Sequence, residues 1–246
     1  MRLGLISDIH GNLPALETVL DHLRRARVDQ LVCLGDVAAF GPQPREALSR
    51  LRATGCAVVM GNTDAWLLDP RPHAVRDADS QRVTDIEMWC AVRLTADDLD
   101  YVRTFQPTVE VALGGKARAL CFHGSPRADT EIIAAATPDD ELDRIFAGFS
   151  ATVMAGGHTH AQMFRRHREM IILNPGSVGL PYERHAQGEE ARNPAWAEYA
   201  LVDWEGGDLA VTLRRAPYDV APVIRAALES EMPHAEWWTR GWLERS

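Results

Sequence analysis

Seven residues in this sequence have types and spacings that suit metal chemistry: Asp8, His10, Asp36, Asn62, His123, His158 and His160. Asp8 and His10 stand two apart in Ser7-Asp8-Ile9-His10-Gly11-Asn12. On an extended or tightly turned backbone that spacing points both side chains at one spot. A carboxylate with an imidazole is a ligand pair for a first-row transition metal. Alone, the hexapeptide reads first as a turn residue beside a satisfied interior histidine. Repetition changes the balance, because Asp36, Asn62, His123 and the His158/His160 pair each follow a short apolar run of their own. Seven oxygen and nitrogen donors suffice for two cations if one carboxylate bridges them. The absence of thiolates disfavours a structural zinc site, and the mixed set suits Mn²⁺, Fe, Ni²⁺, Co²⁺ or Zn²⁺. Two such ions ~3.5–4 Å apart clamp a phosphoryl group and generate a hydroxide for in-line attack.

Strand ends must deliver these residues. The apolar run over residues 2–6 predicts a first strand. A helix over 13–26 follows, with Leu16, Val19, Leu20 and Leu23 on one stripe. Asn12 sits at its N-cap and Pro14 in its first turn, so Asn12 serves equally as a cap or as a substrate contact. A second strand over 31–34 stops at Gly35-Asp36. After a helix opened by Pro42 and Pro44, a third strand over 56–60 stops at Gly61-Asn62-Thr63-Asp64, with Asp64 read as a helix cap. Near-continuous apolar strands separated by helices predict βαβ units and a covered sheet.

Farther along, Val83, Ile86 and Cys90 share a helical face, and Thr95 with Asp98 caps another helix. The segment 69–80 reads as an exposed loop. From Pro107 the apolar period becomes two, with a hairpin turned at Gly114-Gly115. Its return strand ends at His123, and a strand over 152–155 ends at Gly156-Gly157-His158-Thr159-His160. Short strands over 162–166 and 170–173 follow, the second ending at Asn174-Pro175-Gly176-Ser177. After a polar loop over 181–195 comes a hairpin turned at Gly206-Gly207. Residues 218–246 form a helical tail carrying Trp237, Trp238 and Trp242. The tail is expected to pack on its own domain, with a ligand lid or a dimer contact as the other readings. No repeat or linker divides the chain, so residues 1–246 are read as a single domain of mixed α/β class. Ligand sites of such sheets lie outside the carboxyl ends of the strands, where the polar residues of this sequence gather.

Composition narrows the partners. A net charge of -9 argues against duplex nucleic acid or an anionic membrane surface, though bound cations would still permit a phosphate substrate. Cys33, Cys56, Cys90 and Cys121 have no CxxC spacing and read as thiols of a reducing cytoplasm. No apolar run reaches the length of a membrane span. His22, His73, His167, His185 and His234 fall in helices or polar loops and read as structural or solvated.

Asp8-x-His10, Gly35-Asp36, Gly61-Asn62, His123 and Gly157-His158-Thr159-His160, in that order, resemble the signature of calcineurin-like metallophosphoesterases. The resemblance runs from residue 1 to about 215. Ser7-Asp8-Ile9-His10-Gly11-Asn12 and Asn174-Pro175-Gly176-Ser177 are similar to the small YfcE-like phosphodiesterase branch. It implies an α/β (α+β) fold of two facing mixed sheets flanked by helices, with a dimetal site at one end. Asp8, His10 and His160 would hold one divalent ion, Asn62, His123 and His158 the other, and Asp36 would bridge both. Manganese comes first among the metals, with Fe, Ni, Co and Zn as alternatives. A metal-bridging hydroxide held by Asp36 would attack a small phosphate ester, with Asn62 and His123 near the phosphate. Many family members carry His where this chain has Thr63, and that His is taken to protonate the leaving group. Thr63 cannot act as an acid near neutral pH, which favours esters whose leaving group needs little protonation.

Asn12, Thr63 and Arg184 are candidate substrate contacts. A second reading is a hydrolase of dinucleoside polyphosphates or other nucleotides, with Trp66, Tyr182 and Arg184 as candidates for the base. A third is a catalytically inert interaction scaffold, disfavoured because none of the seven ligands is missing. A homo-oligomer is compatible with all three.

Overall fold

A computed structural model describes residues 1–181 and 192–243. Two five-stranded sheets face each other. The first has the order β10-β9-β1-β2-β3, from β1 (Arg2–Ile6), β2 (Gln30–Cys33), β3 (Ala57–Val58), β9 (Trp196–Glu205) and β10 (Asp208–Pro217). Its β1, β2 and β3 run parallel, and β9 joins β1 antiparallel with Leu3 opposite Val202. The second has the order β4-β5-β6-β8-β7, from β4 (Val109–Gly114), β5 (Ala117–Cys121), β6 (Val153–Ala155), β7 (Met163–His167) and β8 (Met170–Asn174). There β5, β6 and β8 run parallel between two antiparallel edge strands.

Strand alternation builds the layers. Leu3, Leu5, Val32, Leu34, Ala200 and Val202 of the first sheet meet Val111, Leu113, Ala119, Cys121, Val153 and Leu173 of the second in a dry interface. On the first sheet's outer face, Ile6 and Cys33 pack against α1 (Leu13–Ala26) and α2 (Pro44–Arg52), with Leu16, Val19, Leu23, Leu48 and Leu51 inward. The second sheet buries Met154 and Ile172 under α6 (Asp139–Ile145) through Leu142 and Ile145. A fourth cluster joins α4 (Ala78–Ala91), α7 (Ala221–Glu229) and α8 (Ala235–Leu243) around Ile86, Cys90, Leu180, Val223, Trp238 and Trp242. α5 (Ala96–Val102) opens on the capping box of Thr95 and Asp98.

Several expectations need correction. The third strand shrinks to two residues: Val59 N–H still donates to the Cys33 carbonyl of β2 at 2.8 Å, but on its other side the chain pairs only with Gln106, through a single parallel bridge at Val59. A six-residue helix, α3 (Asn62–Leu67), starts at once after Gly61. The loop over 69–80 is cut short by α4, whose capping box is Asp77 with Ser80. That helix buries Glu87 alongside Ile86 and Cys90, while Val83 is only half-buried. The tail packs on its own chain, with Trp238 and Trp242 buried. Among the described residues no helix is long and apolar enough to cross a membrane.

Candidate metal centre

The parallel strands of both sheets end together, and their exits are tied to one another. Val178 N–H and Gly179 N–H, beyond β8, donate to the Ser7 and Asp8 carbonyls beyond β1 at 2.9 and 3.0 Å. Ile9 and His10 N–H both donate to the Asp36 carbonyl, at 2.8 and 3.0 Å. Asp8 (φ 55°), His10 (φ 46°), Asp36 (φ 56°), His158 (φ 66°) and His160 (φ 56°) all lie in the left-handed region. That region is uncommon for residues other than glycine, and Asp, Asn and His are the usual exceptions. Gly61 is required for a different reason: any Cβ there would run into the Asp36 carboxylate.

Two groups of donors result. Asp8, His10 and His160 converge on one point, and Asp36, His123 and His158 on another, each with ligand atoms within 4.8 Å of one another. In the first group His10 Nε2 lies 3.1 Å from His160 Nε2, and His160 Nε2 lies 3.3 Å from Asp8 Oδ1. In the second, His123 Nε2 lies 3.3 Å from Asp36 Oδ2 and 3.0 Å from Asn62 Oδ1. Asp36 Oδ2 is also 3.9 Å from His10 Nε2, so this one oxygen addresses both groups. Its partner Oδ1 accepts from Thr63 N–H at 2.9 Å, which fixes the carboxylate plane.

The imidazoles are oriented from behind. Nδ1–H of His10 donates to the Ala39 carbonyl (2.9 Å), that of His123 to Leu34 (2.7 Å) and that of His160 to Leu180 (2.8 Å). With the ring proton on Nδ1, each Nε2 presents a lone pair inward, as metal-ligating histidines do. Lone pairs of His10 and His160 would then face each other, as would His123 Nε2 and the Asn62 oxygen. Asp8 Oδ1 is buried and accepts no hydrogen bond among the described residues. A cation satisfies the whole set at once, so the residues fit divalent metal ions of the imidazole- and carboxylate-binding kind.

Without a cation, protons take its place. Burial opposes charge on His123, but the Asp36 carboxylate outweighs it and pushes the imidazole up to about 10. Burial likewise works against ionised Asp36 and Asp8, yet His123 and His160 respectively hold both carboxyls below the usual range. Burial lowers His10 and His158.

The sequence undervalued the residues behind the donors. Asp64, wholly buried, does cap α3 through Gly61 N–H (3.2 Å), but it also accepts from Asp36 N–H (2.7 Å) and Val37 N–H (2.9 Å). Burial first, then the charge of Asp36, pushes its carboxyl up to about 7. Ser177 Oγ donates to the Asp8 carbonyl (2.7 Å), and Asn174 Nδ2 donates to the Gly157 carbonyl (2.6 Å). Thus the Asn174-Pro175-Gly176-Ser177 segment holds two ligand loops at once.

The expected substrate contacts fare differently. Asn12 is fully buried: its Oδ1 caps α1 at Ala15 N–H (3.1 Å), and its Nδ2 donates to the Gly179 carbonyl and the Tyr218 hydroxyl, both at 2.9 Å. Both of its polar atoms are engaged within the fold, with Oδ1 in the cap role. Thr63 stands beside the second group with its Oγ1 buried and unpartnered among the described residues. Trp66 stacks on His73 (centroids 5.4 Å apart), whose Nε2 lies 2.7 Å from Glu87. Tyr182, Arg184 and His185 lie outside the described residues. His22, His167 and His234 pair with Tyr199, Asp143 and Asp85, away from the centre.

Comparison with known proteins places this geometry. Residues 1–215 match the calcineurin-like phosphoesterase superfamily domain. The crystal structure of a metallophosphoesterase from Sphaerobacter thermophilus aligns with a TM-score of 0.72 at 26% identity, covering 98% of this chain and 99% of that one. Phosphodiesterase YfcE of Escherichia coli is 29% identical over 82% of this chain and 88% of its own length. A symmetrical bis(5'-nucleosyl)-tetraphosphatase of Erwinia tasmaniensis is 35% identical, but over only 44% of this chain and 39% of its own.

Proposed function

The chain belongs to the calcineurin-like phosphoesterase superfamily, and we propose that it is a phosphodiesterase of small molecules working through a dinuclear metal centre. One observation carries this reading: two carboxylate–imidazole groups stand side by side, with Asp36 Oδ2 within 3.9 Å of a histidine from each. Asp8, His10 and His160 would hold one ion, and Asn62, His123 and His158 the other, with Asp36 shared between them. Two divalent ions supply positive charge for the phosphoryl oxygens and a nucleophilic water at neutral pH.

The chain's own residues do the rest. Thr63 N–H holds one Asp36 oxygen, leaving the other for the bridging position. Carbonyls of Ala39, Leu34 and Leu180 hold three imidazoles so that no rotation is spent on binding. Asn62, at the first turn of α3, presents its carboxamide beside His123, where it meets phosphate oxygens. Thr63 offers a hydroxyl but no acid near neutral pH, so the favoured substrates carry good leaving groups. Manganese is the first metal to test. The unpaired thiols suit a reducing cytoplasm, and the net charge of -9 suits a small substrate better than duplex nucleic acid.

A nucleotide substrate is the second reading, favoured by the partial similarity to the bis(5'-nucleosyl)-tetraphosphatase and by Trp66, one turn from Asn62 on α3. The deciding assay compares bis-p-nitrophenyl phosphate with p-nitrophenyl phosphate after chelation and reloading with Mn²⁺, Ni²⁺ or Co²⁺. Metal-restored activity favouring the diester supports the proposal, and its abolition in a folded Asp36→Ala variant ties it to the bridging carboxylate. Metal uptake without hydrolysis of either ester would refute it in favour of a narrow substrate such as a dinucleoside polyphosphate.

A further inference from the structure

Phe40 carries φ 73° and is the bulky apolar member of the chain's left-handed residues other than glycine. Five of those residues are the donors described above, and Arg27 caps the end of α1. A large side chain in this region is a genuine outlier and persists only where its surroundings hold it. Phe40 belongs to no donor group, yet it follows Ala39, whose carbonyl receives His10 Nδ1–H.

The C-terminal helix is what holds it. The Trp238 indole N–H donates to the Phe40 carbonyl at 2.8 Å, and Trp238 itself is buried. Phe40's ring meets Trp237 edge-on, centroids 6.4 Å apart, and on its other side meets the His10 imidazole edge-on at 6.5 Å. The next residue, Gly41, lies so close to the His10 carbonyl that a Cβ would collide with it. Its own carbonyl receives the Cys90 thiol of α4 at 3.4 Å. A chain of contacts therefore runs from α8 through Phe40 and Ala39 to one metal-ligand imidazole. The match to the superfamily domain ends at residue 215, so α8 contributes from beyond it.

We propose that α8 is a clamp on the metal centre: Trp238 and Trp237 hold Phe40 in its left-handed conformation, and so set the Ala39 carbonyl that orients His10. Trp238 and Phe40 are positioning residues. They act on the ion held by Asp8, His10 and His160 and not on the ion held by Asn62, His123 and His158, whose imidazole His123 is oriented from Leu34. The inference rests on the metal-centre reading above.

The experiment is a calorimetric Mn²⁺ titration of the chelator-stripped full chain. Trp238→Phe keeps the packing and removes the N–H. Loss of a partner behind a ligand costs about 10–100-fold in metal affinity, and because Trp238 acts one step farther out, we expect about tenfold on one equivalent with the other unchanged. Phe40→Ala and Phe40→Gly separate conformation from packing. Both lose the ring, but only alanine keeps the left-handed penalty, so alanine should weaken the same equivalent and glycine should largely spare it. In Trp238→Phe, adding Phe40→Gly should restore most of the lost affinity. Wild-type affinity for both equivalents in Trp238→Phe would overturn the clamp while leaving the metal centre standing. Equal weakening of both equivalents would overturn it too, reducing α8 to general packing. A wild-type chain that takes up none of Mn²⁺, Fe²⁺, Ni²⁺, Co²⁺ and Zn²⁺ would overturn the metal-centre reading and the clamp with it.

Discussion

Replacing Asp64 by alanine should damage this protein more than replacing any other residue that does not itself face the metals. The carboxylate is wholly buried and accepts three backbone N–H groups, from Asp36, Val37 and Gly61. Each buried donor left without a partner costs about 1–3 kcal/mol. A water entering the vacated volume returns part of that, so the expected loss is roughly 3–5 kcal/mol, in the range of the larger single-residue effects. For a chain of this size 1 kcal/mol moves Tm by about 2–4 °C, which places the shift at roughly 6–20 °C. The damage is directional. Asp64 staples the loop carrying Asp36 to the turn that opens α3 at Asn62, so both ions should bind more weakly. Asp64→Asn should rescue only in part: its amide oxygen can replace Oδ2, which accepts from Asp36 and Gly61, but its NH2 would then face the Val37 N–H. Thermal unfolding with and without chelator reads the stability, and Mn²⁺ calorimetry reads the site. A Tm within 2 °C of wild type (under ~1 kcal/mol) together with unchanged Mn²⁺ affinity would refute the stapling argument.

Two further outcomes follow from the same geometry. In the metal-free protein the folded value of His123, about 10, lies above its ordinary 6.5. Its contribution to stability is therefore complete below pH 6.5 and is lost as pH rises through 10; the chelated protein should lose Tm across that window and the metal-loaded protein should not, and parallel curves would contradict this. Thr63→His keeps the backbone N–H that holds Asp36 and adds an acid beside Asn62; since general acid catalysis is worth about 10²–10⁴-fold, turnover of esters with poor leaving groups should rise more than that of aryl esters, and equal effects would exclude a missing acid.

How much of this was legible depended on how local the cause was. The Asp, Asn and His residues at the strand tips could be read directly, because a short apolar run ending in a donor is a pattern within six or seven residues. β1 and α1 came out with their bounds because apolar period, cap and proline agree there. The bounds of α3 could not be read, because six residues are too few to display a helical period. β3 came out short because its last partner, Gln106, lies far along the chain. Asp64 was readable as a cap, its local role, but not as the acceptor for residues 27 and 28 positions earlier. The partners of the Asn12 amide were hidden for the same reason: Gly179 and Tyr218 are distant in sequence. Phe40 carried no signal at all, since its conformation is set by tryptophans nearly two hundred residues on.

The arrangement also explains why the centre is built from loops of both sheets instead of one. Donors carried on a single strand would share one backbone and could relax apart together when no cation is bound. Here His10, His123 and His160 are each fixed by a different carbonyl, at Ala39, Leu34 and Leu180, and the loops are locked by Ser177, Asn174 and Asp64. Relaxation in the metal-free state would have to break those bonds, all buried except the half-buried one from His160 to Leu180. The dry core between the sheets keeps the two groups of donors at a fixed separation. The folded chain thus crowds lone pairs that cations satisfy better than protons do, so metal occupancy and stability are linked. At a free metal concentration one hundred times Kd that linkage is worth about 2.7 kcal/mol per site, comparable to what removing one of the buried donors' partners costs.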